Sequence, residues 1–263
     1  MSATKLNKTT LITGASGGIG YEIAKIFAKN GHDLILVARS ADKLLTIANE
    51  FREKYNIKVA AFAKDLSNTA EVISLVEIIK KENVFIDYLV NNAGIGLYGA
   101  FDNTKWQDDE KMMLLNMNTL TYLCKAFIPE MKKEGRGHVL NIASTAAFQP
   151  GPNMAVYFAT KAFVLHFSEA INEELKGTGV SVTAVCPGAT ESGFQKQANM
   201  ENTALFNKKI PTSAEVAEFA FLAMMQRKSV AIHGFKNKFL VFSTRFAPRS
   251  LVTKITKYIM KEN

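Results

Sequence analysis

The chain has 263 residues, of which 48% are hydrophobic and 21% charged, and a formal net charge of +8. That length buries a sizeable core as one large domain or two small ones. Its two cysteines, Cys124 and Cys186, each sit in an apolar run, which argues against a disulfide framework or a thiolate metal cluster and for a reducing compartment. Met1 to Thr10 has no apolar core of signal-peptide length, and no run approaches the roughly 18 apolar residues of a membrane span, so the expected location is cytoplasmic. The positive charge invites nucleic acid or an anionic membrane as partner, and much of it falls late, in Lys208, Lys209, Arg227, Lys228, Lys236, Lys238, Arg245, Arg249, Lys254, Lys257 and Lys261. No basic arm, zinc-finger spacing or RNP-type aromatic motif accompanies it, so nucleic acid is not expected, and a surface that attracts phosphorylated small molecules is the milder reading.

Thr9 to Thr13 is a short apolar strand, followed at once by Gly14-Ala15-Ser16-Gly17-Gly18-Ile19-Gly20 and a helical pattern over Tyr21 to Lys29. Strand, glycine turn and helix in that order form a pyrophosphate site: the backbone comes close to the ligand, and the free N–H groups of the helix start face its charge. Gly14, Ser16, Gly18, Ile19 and Gly20 are the candidate contacts. Asp33 to Ala38 is a near-continuous apolar strand of the kind buried on both faces of a parallel sheet. At its end, where an NAD site places a carboxylate for the ribose 2′-hydroxyl, stand Ala38, Arg39 and Ser40. Arg39 can pair with a 2′-phosphate that a carboxylate would repel, so NADP(H) is expected in preference to NAD(H). An ordinary capping loop with a solvated Arg would leave that preference open.

Ala41 to Tyr55 reads as amphipathic helix and Lys58 to Ala63 as strand, ending at Asp65-Leu66 beside the expected adenine position. Asp65 either accepts from the adenine amino group or caps the next helix, which spans about Ala70 to Lys81. Ile86 to Val90 is a fourth strand and runs into Asn91-Asn92-Ala93-Gly94, small residues against which a cofactor can lie. A long helical pattern then carries Asn116 among Met112, Met113, Leu114, Leu115, Met117 and Leu120. A buried amide must be hydrogen-bonded, so Asn116 satisfies a main-chain group or holds a water.

Gly137 to Ala143 is the fifth strand, with Ser144 at its carboxyl end, where ligands sit in open α/β sheets. Thirteen residues on, beyond the breaker Pro150-Gly151-Pro152, Tyr157 and Lys161 stand four apart in a helical segment and share one face. A phenol beside a positive charge ionises more readily, which makes Tyr157 the candidate acid/base; a packed ring beside a solvated charge is the plain alternative. Val180 to Cys186 is a strand ending in Pro187-Gly188, with Thr190 and Ser192 just beyond. The stretch at about 193–211 reads as a lid or a surface loop, Ala214 to Arg227 as helix, and Ser229 to His233 as a last strand. Strands alternating with helices and no break in composition predict one α/β domain over residues 1–263: a doubly wound, Rossmann-type parallel sheet of about seven strands with helices on both faces.

Along almost its whole length the chain resembles the short-chain dehydrogenase/reductases, in their short branch of about 250 residues. The residues that carry the resemblance are Thr13-Gly14 with Gly18 and Gly20, Asn91 to Gly94, Asn116, Ser144, Tyr157 with Lys161, and Pro187-Gly188. Gly17 also suits the longer, epimerase-like branch, but the Asn-Asn-Ala-Gly loop and the length favour the short one; Ser192 stands where the family commonly has Thr. The resemblance implies that Ser144 bonds a substrate carbonyl, Tyr157 exchanges the proton, Lys161 binds the nicotinamide ribose and lowers the Tyr157 pKa, and Asn116 holds a relay water. It places Asn92, Ala93, Gly94, Pro187, Gly188, Thr190 and Ser192 along the cofactor together with Asp65 and Leu66, requires no metal, and implies a homodimer or homotetramer.

The activity implied is NADP(H)-dependent hydride transfer to or from a ketone or secondary alcohol. An apolar, lipid-like or steroid-like substrate would suit the lining expected from Phe148, Met154, Phe194 and the C-terminal segment. A sensor or scaffold that binds NADP without turnover is the alternative, and the presence of all four catalytic-type residues disfavours it. From Gly234 to Asn263 aromatic and basic residues interleave, and Ser250 to Lys261 repeats apolar residues at helical spacing. This basic extension packs over the substrate pocket or a neighbouring subunit, attaches to an anionic membrane, or is a solvated tail, with the first reading favoured.

Overall fold

Short apolar runs bounded by turn residues become parallel strands when helices cover both of their faces. The computed structural model describes residues 7–200 and 210–260, and within them seven such runs form one sheet. They are β1 (Thr9–Thr13), β2 (Asp33–Ala38), β3 (Val59–Ala63), β4 (Tyr88–Asn91), β5 (Gly137–Ile142), β6 (Val180–Cys186) and β7 (Val230–Ile232). All pair in parallel, in the order β3-β2-β1-β4-β5-β6-β7. The chain winds outward from β1 in one direction and from β4 in the other, so the crevice for a ligand lies where these two strands meet.

Alternate strand residues feed two cores. Leu11, Ile35, Leu89, Val139 and Val182 face one side, where they meet α3 (Thr69–Lys81), α5 (Leu120–Lys133) and α6 (Ala155–Glu174). Ile12, Leu36, Val90, Leu140 and Val185 face the other and meet α1 (Gly18–Lys29), α2 (Ala41–Tyr55) and α8 (Ser213–Met225). The expected doubly wound sheet is therefore the observed one, and most boundaries fall within two residues of the sequence reading. Among the described residues no helix is long and apolar enough to cross a membrane.

Several features depart from the simple pattern. The long helix expected around Asn116 is two helices, α4 (Trp106–Met113) and α5, joined by a π-helical turn at Leu114–Thr119. After β5 a 3-10 turn, Thr145–Phe148, leads towards α6. A four-residue helix, α7 (Phe194–Gln197), opens the expected lid, whose two ends are joined by a bridge between Glu191 and Thr212. The lid's residues 201–209, with Lys208 and Lys209, lie outside the described residues, as do residues 1–6 and 261–263. Past Gly234 the chain forms α9 (Phe235–Ser243) and α10 (Arg249–Ile259).

Candidate active site

The carboxyl ends of the strands open into one cavity of about 980 Å³ that reaches from the glycine turn to α9 and α10. At the turn, Gly14 is left-handed (φ 68°) and its N–H donates to the Val37 carbonyl at 2.8 Å. A Cβ on Gly20 would lie 2.3 Å from the Gly14 carbonyl oxygen, so no side chain fits where the first turn of α1 crosses the strand end. No side chain caps α1 at Gly17, and Ser16, Gly18 and Ile19 line the cavity there. Amides at an uncapped helix start suit a phosphate.

Beyond the turn, Ala38, Arg39 and Ser40 line the same end, and two cations join them that the sequence reading did not single out, Lys43 on α2 and Lys64 after β3. Each follows a strand end on the glycine-turn side, and the pairing of β2 with β3 brings the two together. Leu66 and Asp65 complete this region. Asp65 is not a helix cap, however. Its Oδ1 accepts from the Ser67 N–H (3.0 Å) and hydroxyl (2.7 Å), while the cap of α3 is Asn68, which accepts from the Ala70 N–H at 3.0 Å. Burial raises the Asp65 pKa most, yet the two Ser67 bonds, with Arg39 and Lys111 nearby, outweigh it and leave the carboxyl below its ordinary value.

The Thr13 hydroxyl holds the Asn-Asn-Ala-Gly loop, accepting from the Asn92 and Ala93 N–H groups at 3.0 Å each. The Asn92 side chain returns to donate to the Thr13 and Gly14 carbonyls, while Asn91 points into the core and donates to Asn141 at 2.9 Å. Gly94 sits where a Cβ would lie 3.2 Å from Asn116 Oδ1 and 3.4 Å from Lys161 Nζ. Glycine therefore lets loop, π-turn and α6 converge on one point. Asn116 is 2% exposed and clamps the next residue from both sides: Oδ1 accepts from the Ile95 N–H (3.0 Å), and Nδ2 donates to the Ile95 carbonyl (2.9 Å) and to Thr160 Oγ1 (3.0 Å). Of the two roles open to this amide, the described contacts are the main-chain one.

Ser144 stands two residues beyond β5 and caps the 3-10 turn, its oxygen accepting from the Ala146 N–H at 3.1 Å. Its hydroxyl donates to the Pro187 carbonyl at 3.5 Å and stands near enough to the Tyr157 phenol to favour the ionised form. The phenol ring is half-buried, 5.3 Å from the Phe194 ring. Burial pushes Tyr157 up to about 12, with Ser144 pulling the other way. One helical turn on, Lys161 is buried, donates to the Ile142 carbonyl at 2.8 Å, and lies 5.8 Å from the centre of the Tyr157 ring. Burial pushes it down to about 8, against a weaker upward pull from the Cys186 thiol. Desolvation disfavours both charged forms, so the Tyr157 pKa lies above its ordinary value and not below it as expected from a neighbouring ammonium, and the downward pull on it comes from Ser144.

Pro187, Gly188, Thr190 and Ser192 run along the same wall of the cavity. The Pro187 carbonyl accepts from the Thr145 N–H at 2.9 Å, and Thr190 is buried with its hydroxyl on the Gly188 carbonyl at 3.0 Å. At the far end the wall is apolar, with Met154, Phe158, Phe194 and Met200 facing Leu240 and Val241 of α9. Phe148 does not join them, because the 3-10 turn directs it into the core beneath the sheet, where it packs against the α5 and α6 side; Phe158 takes the place expected of it. Every sequence-predicted site residue except Gly20 and Asn116 lines this one cavity; Gly20 is buried behind Gly14 and Asn92, and Asn116 adjoins the cavity through Gly94 and Ile95. A phosphate-bearing dinucleotide fits the end built from the glycine cradle and the Arg39, Lys43 and Lys64 cations. Among the described residues no group of three His, Cys, Asp or Glu side chains could hold a metal ion.

Residues 8–203 match the family described as short chain dehydrogenase. An uncharacterized oxidoreductase of Staphylococcus saprophyticus is 30% identical over 227 residues, 86% of this chain and 95% of that protein. Among solved structures, a short-chain dehydrogenase from Sphingobium yanoikuyae in complex with NADPH superposes with a TM-score of 0.82 at 35% identity, covering 91% of this chain and 94% of that one. The bulky-bulky ketone specific alcohol dehydrogenase from Comamonas testosteroni does so with a TM-score of 0.78 at 30% identity, covering 91% and 92%.

Proposed function

The chain belongs to the short-chain dehydrogenases, a family of oxidoreductases that use a nicotinamide cofactor, and from that premise we propose that it is an NADP(H)-dependent reductase of bulky apolar ketones, or the dehydrogenase of the corresponding secondary alcohols. One observation carries the proposal: Ser144, Tyr157 and Lys161 meet at the carboxyl end of β5 in a cavity whose one end is basic and glycine-lined and whose other end is apolar. The NADPH-bound and bulky-ketone-specific relatives support the cofactor and the substrate class respectively.

NADPH, when bound, supplies the hydride. The Ser144 hydroxyl orients the substrate carbonyl towards Tyr157 and donates to its oxygen. A Tyr157 phenol with a pKa near 12 is fully protonated at neutral pH and remains a stronger acid than an aliphatic alcohol, so it can give its proton to the oxygen as negative charge develops there. Lys161, fixed to the Ile142 carbonyl through one of its three donors, has two left for the ribose hydroxyls and the proton path. Asn116 acts by holding Ile95 and Thr160, and through them the spacing between loop and α6. Phe158, Phe194 and Met200 exclude water from the reacting carbonyl.

Arg39, Lys43 and Lys64 favour the 2′-phosphate over a plain ribose. We further propose a single domain that assembles as a homodimer or homotetramer through α5 and α6, where Tyr122 and Phe163 stand exposed.

The decisive experiment is a screen of apolar ketones that follows NADPH absorbance, with Tyr157→Phe as control. Turnover of at least one bulky ketone is expected, and the variant should lose about 100-fold or more of kcat while binding NADPH as before. No turnover across the panel, or an unimpaired Tyr157→Phe enzyme, overturns the proposal.

A further inference from the structure

Most helices of this fold hide an apolar stripe against the sheet. The last two turn a second one outward. Phe235, Phe239, Phe242 and Phe246 follow one another at helical spacing along and just beyond α9, and they are 84%, 65%, 56% and 77% exposed. On α10, Leu251, Ile255 and Tyr258 form a similar exposed stripe. The burial of these helices is slight, since Val241 is the only buried residue of α9 and Thr256 the only one of α10.

The charge around the stripes has one sign. Lys236, Lys238, Arg245, Arg249, Lys254 and Lys257 are all exposed, and the sequence holds no Asp or Glu from Phe219 to Lys261. A second copy packed face to face across a two-fold axis would set these cations against their own equivalents. An anionic surface would complement them, and its apolar interior would take the phenylalanines.

We propose that α9 and α10 dock this protein on an anionic lipid surface, with the aromatic stripes inserted among the acyl chains and the lysines and arginines on the headgroup phosphates. Long basic side chains suit this placement, because their stems lie along apolar groups while their charges reach outward. The two helices also form one wall of the cavity: Leu240, Ile255 and Ile259 line it and are exposed as well, so they belong to its rim. Docking therefore turns that rim towards the lipid, from which an apolar ketone could enter without crossing water. This last consequence rests on the substrate class proposed above; the docking itself does not.

The test is co-sedimentation of the full chain with vesicles, without substrate or cofactor. Vesicles of phosphatidylglycerol and phosphatidylcholine in equal amounts should retain the protein at low salt and release it as salt rises, whereas phosphatidylcholine alone should bind at least about tenfold more weakly. Phe235→Ser/Phe239→Ser/Phe246→Ser should reduce binding by about tenfold or more, and each of Lys236→Gln, Lys238→Gln, Lys254→Gln and Lys257→Gln by about fivefold. None of these side chains lines the cavity, so turnover of a water-soluble ketone should stay unchanged and report that the variants are folded. Absence of binding to the anionic vesicles overturns the proposal, as does equal binding to both vesicle types. So does a folded triple variant that binds like the parent, or one that loses only a subunit contact in sedimentation equilibrium. Because vesicle binding needs no turnover, its failure would leave the reductase reading intact, and an inactive protein that binds vesicles would leave the docking intact.

Discussion

Lys161 is a buried ammonium whose stability cost can be measured. Its pKa falls from an ordinary 10.5 to about 8 because burial disfavours the charged form. Above pH 10.5 folded and unfolded chains both hold a neutral amine, and the group contributes nothing. As the pH falls from 10.5 to 8 the unfolded chain takes up a proton that the folded chain does not, so the cost grows to about 3 kcal/mol and stays constant below pH 8. Losing the bond to Ile142 in Lys161→Met offsets only about 1 kcal/mol of the gain. In the cofactor-free protein that variant should therefore melt at a higher temperature than the parent at pH 7, with the gap narrowing between pH 8 and 10.5. A lower melting temperature throughout would contradict the assignment. At the other end of the cavity, Arg39→Asp should weaken NADPH binding by about 10- to 100-fold and leave NADH binding nearly unchanged, read by fluorescence titration. Arg39 was legible in the sequence because it follows the strand that meets the ribose. Lys43 and Lys64 were not, since only the pairing of β2 with β3 brings them to the same spot.

Among the elements, the π-turn at Leu114–Thr119 departs furthest from the sequence pattern. Met112, Met113, Leu114, Leu115, Met117 and Leu120 continue an apolar helical run without a break, and nothing local signals that the backbone widens. The cause is tertiary. The wider turn carries Asn116, whose amide bonds both polar groups of Ile95 and the hydroxyl of Thr160, and such bulges recur at functional sites. Asn116→Leu leaves those groups without their partner and should cost about 2–4 kcal/mol, measured as a lower midpoint in urea at an unchanged slope. The strands, by contrast, were readable nearly to the residue, because a run buried on both faces has to be apolar throughout. α9 was harder to read: its phenylalanines alternate with lysines, and only Val241 is buried to mark an inner face.

On the scale of the whole molecule, the histidines sit apart from the chemistry. His32 and His138 flank Tyr88 at the amino ends of the strands, with ring centres 5.0 and 5.3 Å from it, and the His138 ring stacks on Tyr88. Burial lowers both pKa values, His138 to about 4. The unfolded chain protonates near 6.5 and the folded one only below about 4, so stability should fall steadily from pH 6.5 towards pH 4. His138→Phe should flatten that decline in a series of thermal melts, and an unaltered decline would show that other groups cause it. The general layout was legible from the alternation of strands and helices, but the outward-facing C-terminal helices were legible only as an interleaving of aromatic and basic residues with three possible meanings. The parallel sheet itself has a consequence for how such a protein diversifies. Because the candidate chemistry and the ligand walls gather at the carboxyl ends of the strands, while the aromatic packing lies about one strand length away at the amino ends, substitutions at the two ends share few partners and their effects should add. The pocket can then be remodelled for a new ketone without taxing the scaffold, which leaves substrate choice free to drift between relatives while the architecture stays the same.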